Sequence, residues 1–157
     1  MRLPYTLSAL FAVVLLFAFY LYSPGLSGPF LLDDHLHLPK LAGEDGQIDS
    51  AREFLQLVFS GERLAGRQIS YLTLLINDHA WPTDPEGFKR FNVLVHLLNG
   101  VLVFVFVRLL ARLIHPEGAD PKRGDWIALV AMALWLIHPL HLSPTMMVIQ
   151  RMTLLAG

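Results

Sequence analysis

The chain of 157 residues is 54% hydrophobic, with a mean hydropathy of +0.50 and only 16% charged residues, where a soluble domain carries about 25%. The charges drop out of three stretches instead of thinning evenly, which points to membrane segments and excludes an ordinary soluble core. A formal net charge of −1 with no clustered basic face argues against nucleic acid as a partner, and the absence of cysteine excludes disulfides and thiolate metal sites.

The first uncharged stretch runs from Leu3 to Tyr22, and a helix of that length rises about 30 Å, enough to cross a hydrocarbon core. A cleaved signal peptide is the alternative. Its apolar region is usually about 7–15 residues and ends in small residues, whereas Phe19, Tyr20, Leu21 and Tyr22 stand here. Tyr20 and Tyr22 also suit an interfacial aromatic belt, so the segment reads as a retained span over about 3–22.

After the first span comes a long loop, 23–87, that itself contains helical patterns. Ser50-Ala51-Arg52-Glu53 has capping-box spacing, followed by Phe54/Val58 and Leu55/Phe59 at i, i+4 and by Gly61. A second amphipathic helix is predicted over 68–79, where Ile69, Leu72 and Ile76 share a side and Trp81-Pro82 stops it. Both helices fit the membrane surface.

Asp84-Pro85, a cap residue and a first-turn proline, leads the second span, over about 88–113. Asn92, His96 and Asn99 interrupt its uncharged centre at i, i+4 and i+7 and therefore lie on one face, which should look into the bundle or a wet cavity and away from lipid. The third span, about 122–138, is short for a full crossing and stops at His138-Pro139. Ser143-Pro144 begins a further helix over 144–157. The chain stops inside that apolar run, which reads as a truncated bundle.

Basic residues set the orientation. Arg2 precedes the first span, and Arg108, Arg112, Lys122 and Arg123 surround the connection from the second to the third, so both places read as cytoplasmic. Loop 23–87 then lies on the outer side, together with the His138 end of the third span. The expected fold class is an all-α polytopic membrane helix bundle with three transmembrane helices and short amphipathic helices in the first outer loop.

Asp33-Asp34 follows the first span directly, holding two carboxylates near the outer membrane surface. Such a pair can act as a base or bind a divalent cation through oxygen, and its plainer reading is an acidic turn that caps a helix. His138 and His141 at the outer end of the third span can bind metal, hold a phosphate or relay a proton, or simply hydrogen-bond at a helix end. His96 and His138 could also ligate a haem. Arg67 and Arg151 are able to grip a lipid phosphate bidentately, against snorkelling as the default. His35 and His37 have no evident role.

The order of these pieces carries a resemblance. Phe30-Leu31-Leu32-Asp33-Asp34, then Arg67-Gln68-Ile69-Ser70-Tyr71-Leu72-Thr73, Asn77 and Trp81, then Asp84-Pro85-Glu86-Gly87-Phe88 lead into Phe91-Asn92 and His96-Leu97-Leu98-Asn99-Gly100. His138-Pro139-Leu140-His141, Pro144, Val148, Gln150-Arg151 and Leu155-Ala156 complete the series. Together they resemble the opening of the polytopic glycosyltransferases of the C superfamily, in particular the transmembrane, tetratricopeptide-repeat-containing O-mannosyltransferases and their bacterial relatives.

The resemblance implies transfer of a sugar from a polyprenyl-phosphate donor to a protein or glycan acceptor on the outer face, usually with inversion. Asp33 or Asp34 would be the base, and Arg67, His138 and Arg151 would stabilise the departing phosphate. His96, Asn99 and His141 complete the substrate-binding candidates. No cofactor is required. A divalent cation, used by some members, is compatible, but the chain offers no ligand set that demands one. The competing reading is a non-catalytic membrane scaffold or assembly protein.

Overall fold

The computed structural model describes residues 4–38, 68–77, 84–114 and 121–156, and every regular element among them is helical. Tyr5–Tyr22 (α1) is followed by a 3-10 turn, Ser23–Gly25, and by the short helix Asp33–His37 (α2). Gln68–Asn77 (α3) precedes the longest element, Pro85–Ile114 (α4), which pairs with Pro121–Leu136 (α5). A 3-10 turn at Pro139–His141 leads into Leu142–Met146 (α6) and Arg151–Ala156 (α7).

Two helical segments, Tyr5–Gly25 and Pro85–Ile114, are long and apolar enough to cross a membrane. A third crossing arises if Lys122–Leu136 and Pro139–Met146, bent by 51°, count as one broken span. The protein is therefore a helical membrane protein with two or three spanning elements. The bend has a local cause. His138, preceding Pro139, is forced into an extended conformation (φ −66°, ψ 128°), and the 16 residues of α5 rise only about 24 Å before the chain turns.

The N-terminus of α4 forms as its sequence predicts: Pro85 needs no amide partner, and the Asp84 carboxylate accepts from Glu86 N–H at 3.0 Å. With 30 residues α4 is about 45 Å long, so its first turns extend beyond a hydrocarbon core of about 30 Å and have room for polar partners. At the other end Arg108 closes the α4–α5 hairpin on Asp125, through Nε at 2.6 Å and a second nitrogen at 3.3 Å. The helix expected over 68–79 is present through Asn77 as α3, while its last two positions and the helix expected over 50–61 lie outside the described residues. The run 144–157, expected as the start of one helix, instead holds the end of α6 and all of α7. Met147 takes an extended conformation between them.

Lipid tails are as apolar as leucine, so helices here associate through close packing and satisfied polar groups. Ala18, Phe104, Ala128, Leu129, Met132 and Leu136 join α1, α4 and α5 in one apolar core, and Phe11 meets Phe104 edge-on at 5.0 Å. Gly100 permits a close approach of α4 and α5, since a Cβ there would stand 2.6 Å from Leu136 Cδ2 and 2.7 Å from its Cγ. Leu136 is fully buried and has nowhere to move. Gly100→Ala is expected to destabilise the protein by about 1–3 kcal/mol, offset by up to about 1 kcal/mol of helix propensity. Thermal unfolding in detergent checks this, with Gly100→Ala plus Leu136→Ala expected to cost less than the sum of the two single substitutions.

Candidate functional site

The polar residues concentrate where the chain after α1 (25–34), the first turns of α4 and the segment 147–151 meet. Asp33 and Asp34 form the first turn of α2, but they face different surroundings: Asp33 is exposed and Asp34 is fully buried. One Asp34 oxygen accepts from Leu31 N–H at 3.0 Å and the other from Ile149 N–H at 2.8 Å. The first bond reaches back from the first turn of α2 to the amide of Leu31, just outside the helix, and the α2 N-cap residue makes no side-chain cap bond. The second reaches 115 residues along the chain and fastens the acidic turn to the segment between α6 and α7.

Immediately before the pair, Leu32 has φ 33°, the one positive φ of a non-glycine residue among those described, and its side chain is exposed. A branched side chain in that region costs on the order of 1–3 kcal/mol, so surrounding contacts must hold it there. The Asp34 bonds on both flanks supply part of that restraint.

Arg151 begins α7 and points inward. It is fully buried and donates from Nε to Asn92 Oδ1 at 2.7 Å, and from its terminal nitrogens to Thr73 O at 2.8 Å and Phe88 O at 3.0 Å. The guanidinium lies 4.4 Å from the Phe91 ring centroid. Burial lowers its pKa to about 9, so it remains a cation at neutral pH. Asn92 is held in turn by its amide, which donates to Met147 O at 3.2 Å. Arg151 thus joins α3, α4 and α7, and these bonds direct its fork into the protein instead of toward an external phosphate.

Lys89, one turn before Asn92, is also buried, and Nζ donates to Gly28 O and Pro29 O, each at 2.8 Å, and to Gly25 O at 3.3 Å. Sequence reasoning did not single this residue out. The signal was present, however: Lys89, Asn92, His96 and Asn99 follow a 3-4-3 spacing, so the polar face of α4 simply continues one turn further.

That face does look inward. His96 is fully buried and donates from Nε2 to Leu136 O at 3.0 Å, an oxygen that also accepts from Tyr22 Oη at 3.2 Å. The bond to a carbonyl fixes the proton on Nε2. Nδ1 is buried with no hydrogen-bond partner among the described residues. The ring stacks on Trp135 at 4.8 Å and approaches His141 at 5.3 Å. Asn99 donates to Leu154 O at 2.6 Å. Asn99 and His141 come together across a cavity of about 490 Å³ between α4, α5 and α7, lined mainly by apolar side chains including Leu102, Phe106 and Trp135.

His138 is exposed and caps its own turn, its Nδ1 accepting from Leu140 N–H at 3.3 Å. That leaves the proton of the neutral ring on Nε2, where it can serve as a donor. The structure therefore brings Asp34, Arg151 and their partners into one network and places His96, His138 and His141 around the same turn of chain. Arg67 lies outside the described residues. No group of three or more His, Asp or Glu side chains with metal-holding geometry occurs among the described residues. Searches against protein-family models, curated proteins and solved structures each find no match for this chain.

Proposed function

We propose that this protein is a membrane glycosyltransferase that passes a sugar from a polyprenyl-phosphate donor to an acceptor hydroxyl, with three spans, a cytoplasmic amino terminus and its chemistry on the outer face. The observation that carries the reading is the division of labour within the acidic pair. Asp34 spends both oxygens on Leu31 and Ile149 amides, while Asp33, one residue away on a turn held in place by those bonds, stays exposed. A fixed carboxylate open to solvent at the exit of a span is what a base for an incoming hydroxyl requires.

In the proposed step the acceptor oxygen forms a bond to the anomeric carbon as Asp33 takes its proton. The anomeric carbon–oxygen bond breaks and the lipid phosphate leaves with the electron pair. A single displacement of this kind inverts the anomeric centre. His138, with Nε2 available to donate, is the described group suited to the growing phosphate charge, together with Arg67 from the segment before α3. Arg151 supports the site from behind by holding α3, α4 and α7 together.

The test is sugar transfer from a polyprenyl-phosphate donor in membranes carrying the protein or its Asp33→Asn variant. Loss of transfer with normal insertion supports the assignment. Undiminished transfer by Asp33→Asn rejects it, and absence of transfer by the unaltered protein favours the scaffold reading.

A further inference from the structure

The acidic turn is fixed from one side by Asp34, but Asp34 alone does not determine where the loop from α1 runs. Between Gly25 and Pro29 the chain leaves the span and reverses toward α2, and three of its carbonyls, those of Gly25, Gly28 and Pro29, converge on one point. Gly25 O also accepts from Gly28 N–H at 3.3 Å, but buried carbonyls directed at a common point call for a donor there.

Lys89 provides it. An ammonium group has three N–H donors and no acceptor, and the three carbonyls match that number. The side chain is 1% exposed, so water does not compete for these bonds. Fit is close as well: a Cβ on Gly28 would lie 3.3 Å from Nζ. Lys89 also feels the charge of Asp34, the acid that anchors the turn. Because Lys89 sits on the second turn of the rigid helix α4, it transfers the position of that helix to the loop.

We infer that Lys89 is a positioning residue: by binding the carbonyls of Gly25, Gly28 and Pro29 it sets where the loop from the first span delivers the Asp33-Asp34 turn relative to α4. It touches no reacting atom. The placement stands on the geometry alone, whereas its consequence for catalysis rests on the reading of Asp33 as the base.

The chain contains no cysteine, so spin-label pairs can be introduced directly. One pair, Leu36→Cys with Leu102→Cys, joins the exposed face of α2 to an exposed position about 20 Å along α4 from Lys89. A second pair, Leu113→Cys with Leu134→Cys, spans the α4–α5 hairpin and reports on the bundle itself. Each is measured by pulsed electron paramagnetic resonance in lipid bilayers, with and without Lys89→Met, which keeps an unbranched apolar stem but no donors.

The expected result is a single narrow distance distribution for the 36/102 pair that broadens roughly two-fold in Lys89→Met as the loop gains local freedom, with the 113/134 distribution unchanged. An unchanged 36/102 distribution overturns the inference. Parallel broadening of both pairs also overturns it, since Lys89 would then hold the whole bundle and not the loop. In the transfer assay Lys89→Met should lower kcat about 10- to 100-fold with donor KM unchanged, as expected when a base is displaced by about an ångström. Loss of that assay through failure of the Asp33 reading leaves the distance measurements to decide the placement.

Discussion

Asp33→Asn is expected to reduce sugar transfer by about 10²- to 10⁴-fold while leaving the folded structure intact, and Asp34→Asn to do the reverse, destabilising the fold more than it impairs chemistry per folded molecule. The contrast follows from position. Asparagine at 33 loses only proton-accepting capacity, because the Asp33 side chain is exposed on the first turn of α2. At 34 the substitution meets two amides at once. Whichever way the carboxamide turns, its NH₂ faces either Leu31 N–H or Ile149 N–H, and a buried donor is left facing a donor. Such an unsatisfied buried group costs about 1–3 kcal/mol. Initial rates normalised to folded protein, beside thermal unfolding in detergent, separate the two effects. Equal losses of rate in both variants with no change in stability would contradict the division of labour.

Arg151→Ala carries the largest expected loss of stability, about 3–5 kcal/mol, from a cavity at a fully buried long side chain and from the stranded acceptor on Asn92. Recovering the solvation of the guanidinium offsets part of this, and the carbonyls of Thr73 and Phe88 sit in helices and keep other donors. Asn92 has no such reserve on its Oδ1. The loss should be local before it is global. Arg151 reaches α3 through Thr73 O, so amide hydrogen exchange over 68–77 should quicken first, ahead of the α4–α5 hairpin, whose Arg108–Asp125 closure is independent. Arg151→Lys retains charge but cannot span three acceptors on two helices, and should recover only part of the stability. Uniform exchange across α3 and the hairpin would argue against this order.

In α4 much of the site was legible from spacing alone. A polar triplet at 92, 96 and 99 in a lipid-crossing segment has to face protein, and each of the three does bond to a carbonyl of α5 or of the chain beyond it. The Asp84-Pro85 start, the stop before Pro139 and the helix over 68–77 were legible for the same kind of reason, since caps, prolines and apolar periodicity act within a few residues.

Other features depended on which distant groups arrive at a given point. Asp33 and Asp34 are chemically identical neighbours, and only the arrival of Ile149 N–H makes one of them structural. Arg151 read as a phosphate-binding side chain because its guanidinium suits phosphate; in the folded protein the same fork is taken up by Asn92, Thr73 and Phe88. Lys89 joins the framework only because three carbonyls from a loop some 60 residues earlier close around it. By itself the sequence determined a helical membrane protein, the approximate extents of its long apolar helices and the inward face of α4, because hydrophobicity, capping and helical periodicity are local. Tertiary structure decided which charged groups are buried in the framework and which remain open, because desolvation and hydrogen bonding depend on what packs against a side chain and not on its neighbours in the chain.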